Sequence, residues 1–173
     1  MSLLWLAIAW MAWCLFHSLL IHPPVEQRLE RLLGRRRHVW RLLYNLIALV
    51  SLIPVGLVYL QAPATPVLEW PAWLAPLQWV CWLAAIALAW AGARAYDTGS
   101  FLGVRQWRDG RAESPGRESA EDTGFATDGI MRYSRHPWYL AGLLMLWSRD
   151  LSARDLVTSL LLTLYLLGGA LLE

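Results

Sequence analysis

Apolar residues in this chain come in long unbroken runs, not in the alternations or narrow stripes of a water-soluble fold. Residues 3–21, 39–60 and 72–95 are each predominantly apolar and exceed the ~18 residues that mark a transmembrane helix, set by a hydrocarbon core about 30 Å thick. Residues 156–172 form a slightly shorter but continuous run, and residues 138–147 are apolar yet too few to cross alone. The pattern predicts an all-α polytopic transmembrane helical bundle with about five membrane segments, built as a single integral membrane domain over residues 1–173. The short fourth segment reads either as a tilted, partly buried helix or as half of a re-entrant hairpin with the fifth. No internal repeat or low-complexity tract interrupts this order.

Composition agrees. Hydrophobic residues make up 57% of the chain and charged residues only 16%, against about 45–50% and about 25% in soluble domains, so an ordinary soluble domain is excluded. No basic residues precede the first apolar run, and arginines follow it. That order reads as a retained first span and not a cleaved signal.

The net charge is only +2, but its placement is informative, and every basic side chain other than histidine is arginine. Arg28, Arg31, Arg35, Arg36, Arg37 and Arg41 follow the first span, and Arg94, Arg105, Arg108, Arg111, Arg117, Arg132 and Arg135 border or occupy the third connection. Residues 61–71, between spans two and three, carry Glu69 and no basic residue. The positive-inside rule then places connections one and three in the cytoplasm and the N-terminus outside, with Trp70, Trp73 and Trp79 as an outer aromatic belt. In the last connection Arg149 and Arg154 accompany Asp150 and Asp155, a weak topology signal. Cys14 and Cys81 lie inside predicted spans, where cysteine behaves as a small apolar residue; neither a disulfide nor a metal site is expected. Membrane lipids are the expected surroundings, and nucleic acid is not an expected partner.

The one sizeable extramembrane stretch is the predicted cytoplasmic loop, residues 97–135. Its middle, residues 109–124, has the composition of a solvated loop. Its ends, Phe101-Leu102-Gly103-Val104 and Ile130-Met131-Arg132-Tyr133, mix aromatic, apolar and arginine residues, as do segments that lie on a membrane surface or fold back on a bundle. Loops this long in small proteins are usually functional.

Most of the unusual polar residues fall at one predicted depth. His17 and Ser18 lie near the inner end of span one, and Arg41, Tyr44 and Asn45 open span two. Arg94, Tyr96 and Asp97 end span three, Arg135, His136 and Tyr139 open segment four, and Glu173 ends segment five. Because spans alternate in direction, these positions converge at the cytoplasmic interface, and polar residues inside spans default to a functional hypothesis. A plainer account stands beside it. Arg41 and Arg94 suit snorkelling to headgroups, Tyr44 and Tyr96 suit an aromatic belt, and Arg35-Arg36-Arg37 suits a topology determinant that attracts anionic lipid. The coincidence of His, Asn, Glu and several Tyr at one depth favours a site.

Within Tyr133 to Gly142, Pro137 suits the first turn of a helix, whose leading N–H groups and dipole would face the cytoplasm. Arg135 and His136 at such an end make a place for carboxylate, phosphate or hydroxyl groups. The residues by themselves leave the ligand unspecified.

The run Arg135-His136-Pro137-Trp138-Tyr139-Leu140-Ala141-Gly142, after Gly129-Ile130-Met131-Arg132-Tyr133, resembles the cofactor motif of the isoprenylcysteine carboxyl methyltransferase and phospholipid methyltransferase superfamily. Leu15-Phe16-His17-Ser18-Leu19-Leu20, Arg41-Leu42-Leu43-Tyr44-Asn45 and Phe101-Leu102-Gly103-Val104-Arg105-Gln106 are similar to its NnrU-type and methanethiol S-methyltransferase branch. The resemblance covers nearly the whole chain. It implies a bacterial inner-membrane enzyme that transfers methyl from S-adenosylmethionine to a small thiol or lipidic acceptor entering from the bilayer. It further implies that Arg135, His136, Tyr139, Gly142 and Glu173 bind the cofactor, while His17, Arg41, Tyr44 and Asn45 line the acceptor side with His17 as base. Family members continue past the last span with an acidic pair and a Gly/Tyr/Arg-containing tail. This sequence stops at Glu173, where that motif would begin, so either a fragment or an incomplete site is expected. A non-catalytic membrane protein supporting an associated pathway is the alternative reading. A sterol-type NADPH reductase is a third, opposed by the small chain. A heme or metal site from His17, His22, His38 and His136 is opposed by the interfacial positions of His22 and His38.

Overall fold

The computed structural model describes residues 1–95, 98–110 and 136–172. Its helices are α1 (Leu3–Ile21), α2 (Pro23–Leu33), α3 (Trp40–Gln61), α4 (Ala75–Ala95), α5 (Thr98–Leu102), α6 (Val104–Asp109), α7 (Pro137–Trp147) and α8 (Ala153–Leu172). Helices α1, α3, α4 and α8 are long and apolar enough to cross a membrane, and α7 is the shorter apolar helix. The protein is an integral membrane helical bundle, as the apolar runs predict.

Its packing is that of a protein solvated by lipid. Large aliphatic side chains such as Leu15, Leu46, Leu49, Leu83 and Leu164 point outward, while Ala48, Ala85, Ala141, Ser148, Thr158 and Ser159 are buried between helices. Small residues allow helix backbones to approach where no hydrophobic force draws helices together. Indole N–H groups, costly if left unpaired in hydrocarbon, stitch the bundle. Trp10 donates to Thr158 Oγ1 at 3.0 Å, Trp13 to Ser51 Oγ at 3.0 Å, Trp82 to the Ser148 carbonyl at 2.8 Å and Trp147 to Thr163 Oγ1 at 2.9 Å.

The bundle has two distinguishable faces. At one, the Met1 ammonium donates to the Gln61 carbonyl at 3.0 Å, so α1 and α3 run antiparallel with the start of one beside the end of the other. At the opposite face lie the amphipathic α2, the 3₁₀ turn Gly34–Val39 with its arginines, and the end of α4 at Arg94. We call these the Met1 face and the arginine face.

Helix α7 settles how the fourth segment runs. Trp138 packs beside Ala89 and Gly92 near the end of α4, whereas Ser148 meets Trp82 near its beginning. Helix α7 therefore runs antiparallel to α4, toward the Met1 face. Its 11 residues span about 16 Å at 1.5 Å per residue. The rest of the path is made by the connection to α8, where β2 (Leu151–Ser152) pairs antiparallel with β1 (Pro66–Leu68) from the α3–α4 connection. The segment thus continues across instead of folding back to its own face, and the re-entrant alternative is set aside.

Helix α8 begins at Ala153, three residues before the predicted apolar run, because its charged first turn is internally satisfied. The Asp155 carboxylate accepts from the Ser152 backbone N–H at 3.0 Å, the reach-back of a capping box. It also accepts from the Tyr59 hydroxyl and lies 3.2 Å from the Arg149 guanidinium. Arg154 sits over the Tyr59 ring, 4.7 Å from its centroid. Asp155→Ala removes all of these bonds to a charged group, and unfolding in detergent micelles should show a loss of about 2–3 kcal/mol; Asp155→Asn, which keeps the acceptor atom, should lose less.

Candidate functional site

His17 lies near the arginine-face end of α1 and is held on several sides. The Trp13 ring, one turn earlier, stacks on it at 4.9 Å and 14° between planes. The Tyr44 hydroxyl of α3 lies 2.9 Å from Nδ1 and 2.8 Å from Nε2, so the tautomer decides which nitrogen it pairs with. Tyr165 of α8 approaches the imidazole edge-on at 6.3 Å, and its hydroxyl is 3.0 Å from Ser18 Oγ. An imidazole bonded to a phenol in a half-buried position between helices is a pair able to accept a proton. Sequence reasoning paired His17 with Tyr44 by depth and missed Tyr165 and Trp13. A lone Tyr in the apolar run of α8 was the available signal for Tyr165.

Arg41 and Asn45 share a helix face one turn apart and hold the chain that follows α4. Asn45 Nδ2 donates to the Phe101 carbonyl at 3.2 Å, and Arg41 Nη1 lies 3.5 Å from the Ser100 carbonyl. The Phe101–Val104 segment folds back on the bundle, one of the two predicted fates for that end of the loop. Gly103 makes this possible: its φ is +80°, and a Cβ there would lie 2.4 Å from the Leu42 nitrogen. Phe101 then meets Trp138 edge-to-face at 4.9 Å. Buried Gln106 donates through Nε2 to the Ser100 carbonyl at 3.0 Å, while its Oε1 has no hydrogen-bond partner among the described residues. Nothing in the sequence pattern marked Gln106 as interior. Arg94 stacks over Trp90 at 5.1 Å.

His136 immediately precedes α7, and its ring stacks on Tyr139 at 5.0 Å and 12°. Tyr139 in turn reaches α8: a Cβ at Gly169 would lie 3.7 Å from the Tyr139 hydroxyl, and one at Gly168 would meet nothing within 4 Å. Tyr165 and Gly169 are one helical turn apart, so α8 carries the neighbour of the His17 pair and the neighbour of the His136 stack on adjacent turns. Two predicted groups, far apart in sequence, are thereby joined on one element. Gly142 faces α8 instead, with Leu166 Cδ1 at 3.6 Å from a Cβ there, which is a helix-packing position. The expectations for Arg135, Glu173, Tyr96, Asp97 and residues 130–133 lie outside the described residues. Among the described residues, no group of three His, Cys, Asp or Glu side chains gathers as a metal ion requires.

A family model described as NnrU protein matches residues 4–170. The chain belongs to the NnrU family. No curated protein and no solved structure matches it. The matched stretch of this NnrU-family protein runs from the start of α1 nearly to the end of α8, so the His17 pair, the folded-back α5–α6 segment and the His136 stack all fall within it.

Proposed function

We propose that this NnrU-family protein is a membrane-embedded methyltransferase that uses S-adenosylmethionine and acts on a small thiol or lipidic acceptor. The observation that carries the reading is the joining of the His17–Tyr44 pair and the His136–Tyr139 stack by adjacent turns of α8. The arginine face would be cytoplasmic in a bacterial inner membrane, by the positive-inside rule.

The residues present fit the cofactor in shape. The stacked His136 and Tyr139 rings beside Gly169 support this reading, since flat rings offer a face on which a planar purine could lie. The anion-binding role of Arg135 and the hydroxyl-binding role of Glu173 complete the proposal. When bound, the cofactor supplies an electrophilic methyl group to an in-line nucleophile. His17 takes the proton a thiol acceptor must lose, Tyr44 and Trp13 hold the imidazole in place, and the surrounding helices exclude water and fix the approach.

Titration calorimetry of the purified full-length protein with S-adenosylmethionine tests this, and no heat of binding at millimolar cofactor would overturn it. His136→Ala should weaken cofactor binding roughly tenfold. His17→Ala should leave cofactor affinity nearly unchanged and lower the transfer rate by about 10²–10⁴-fold, the scale of general-base catalysis. The stacking of Trp13 and the bond from Tyr44 also suit a purely structural pin between α1 and α3, as in a non-catalytic membrane protein. Survival of the cellular phenotype in both variants would favour that second reading.

A further inference from the structure

A concavity lies toward the Met1 face, away from the His17 and His136 groups. Leu52, Val55, Gly56 and Tyr59 project from one side of α3. With Trp10, Thr158 and Arg149 they line a lateral groove of about 360 Å³. Gly56 deepens it, since a Cβ there would meet no heavy atom within 4 Å. Among the described residues, α3 makes no extended contact with α4 or α7.

The lining is ordered by depth. Leu52 and Val55 lie in the apolar interior of α3, while Tyr59, about 6–10 Å further along the helix axis, and Arg149 lie at the Met1 end. Arg149 is the one charged residue in the lining. Its carboxylate neighbour, Asp155, is already engaged at both oxygens: Oδ1 by Tyr59 and Arg149, Oδ2 by the Ser152 N–H and hydroxyl. A guanidinium carries five N–H donors, and among the described residues its ion pair to Asp155 leaves Arg149 with donors to spare. Arg154 stands next to this network with a buried Nε that has no acceptor among the described residues. An apolar slot inside the span with a guanidinium at headgroup level is complementary to an amphiphile with an anionic head.

We propose that this groove is a binding site for an anionic phospholipid of the leaflet at the Met1 face. One acyl chain lies against Leu52, Val55 and Gly56, and the phosphate lies at Arg149. The site is separate from the arginine cluster Arg35–Arg37, which lies at the other face, and does not depend on the proposed methyl transfer.

The test uses the full-length protein in phosphatidylcholine nanodiscs doped with a phosphatidylglycerol bearing a diazirine on one acyl chain. Photolysis and peptide mapping should place the adduct on residues 52–59 and on Trp10. Unlabelled phosphatidylglycerol should compete, and phosphatidylcholine should not. Gly56→Leu and Leu52→Trp, which fill the groove, should each reduce labelling there roughly tenfold, and Arg149→Gln should abolish the headgroup preference, worth about tenfold for a bond to a charged group. Labelling spread evenly over the lipid-facing surface, or equal competition by the two lipids, would overturn the proposal. So would undiminished labelling in both filled variants. The headgroup competition in the unsubstituted protein decides the matter even where a variant fails to fold.

Discussion

Gly92→Ala is expected to wedge α7 away from α4 and to lower unfolding stability by about 3 kcal/mol, the upper range for one methyl forced into a packed interior. The added Cβ would stand 2.2 Å from Nε1 and 2.4 Å from Cδ1 of Trp138. The indole has little room to retreat, because its N–H donates to the Ala89 carbonyl at 3.2 Å and Phe101 meets the ring edge-to-face. Unfolding in mild detergent, followed by circular dichroism, gives the measurement. In a Trp138→Ala background, which removes both clashing ring atoms, adding Gly92→Ala should cost far less. A midpoint equal to that of the unsubstituted protein for Gly92→Ala alone would mean that α4 and α7 do not approach this closely.

Gly103→Ala acts on the other junction. A left-handed φ costs an L-residue roughly 1–2 kcal/mol, and here the new methyl would also meet backbone, at 2.4 Å from the Leu42 nitrogen and 2.8 Å from the Arg41 carbonyl carbon. A helix backbone cannot give way as a flexible side chain can. The α5–α6 segment should therefore detach from α3 and lose the Asn45 bond to the Phe101 carbonyl. Trypsin should then cut after Arg105 and Arg108 roughly tenfold faster, since cleavage follows the population of the open form. Gly110 is the control: its φ is +64°, yet a Cβ there would meet nothing within 4 Å among the described residues. Equal effects at Gly103 and Gly110 would show that strain alone, and not docking, sets the requirement for glycine.

These two glycines also mark where reading the chain as text stops. The spans were legible because hydrocarbon demands about twenty apolar residues in a row, and that demand leaves a composition nobody can mistake. The meeting of His17 with Tyr44 was legible too, because alternating spans bring the end of one beside the start of the next. What pattern does not carry is pairing across long separations. Tyr59 and Asp155 are 96 residues apart, and the charges around Asp155 read as a neutral scatter because they balance one another within a single network. The short strand at Pro66–Leu68 hides in a proline-containing connection, where proline opening an edge strand is tolerated but does not announce one. Gly92 and Gly103 look like any glycine until the partner backbone or indole is in place. The candidate site was half legible for the same reason: depth could be counted along each helix, but the facing of Tyr165 and Gly169 from α8 required the packing itself.

The shortness of α7 has a bearing on how the protein is made. Eleven residues fall well short of the roughly twenty that partition into a bilayer unaided. A helix of that length leaving the ribosome has no stable place in lipid by itself, so its insertion depends on its neighbours: the Gly92 side of α4, already made, which receives Trp138, and α8, which follows it in the chain. The natural unit of late biogenesis is then the α7–α8 hairpin, entering together and closing on an α1–α4 assembly that has waited with one side of α4 uncovered.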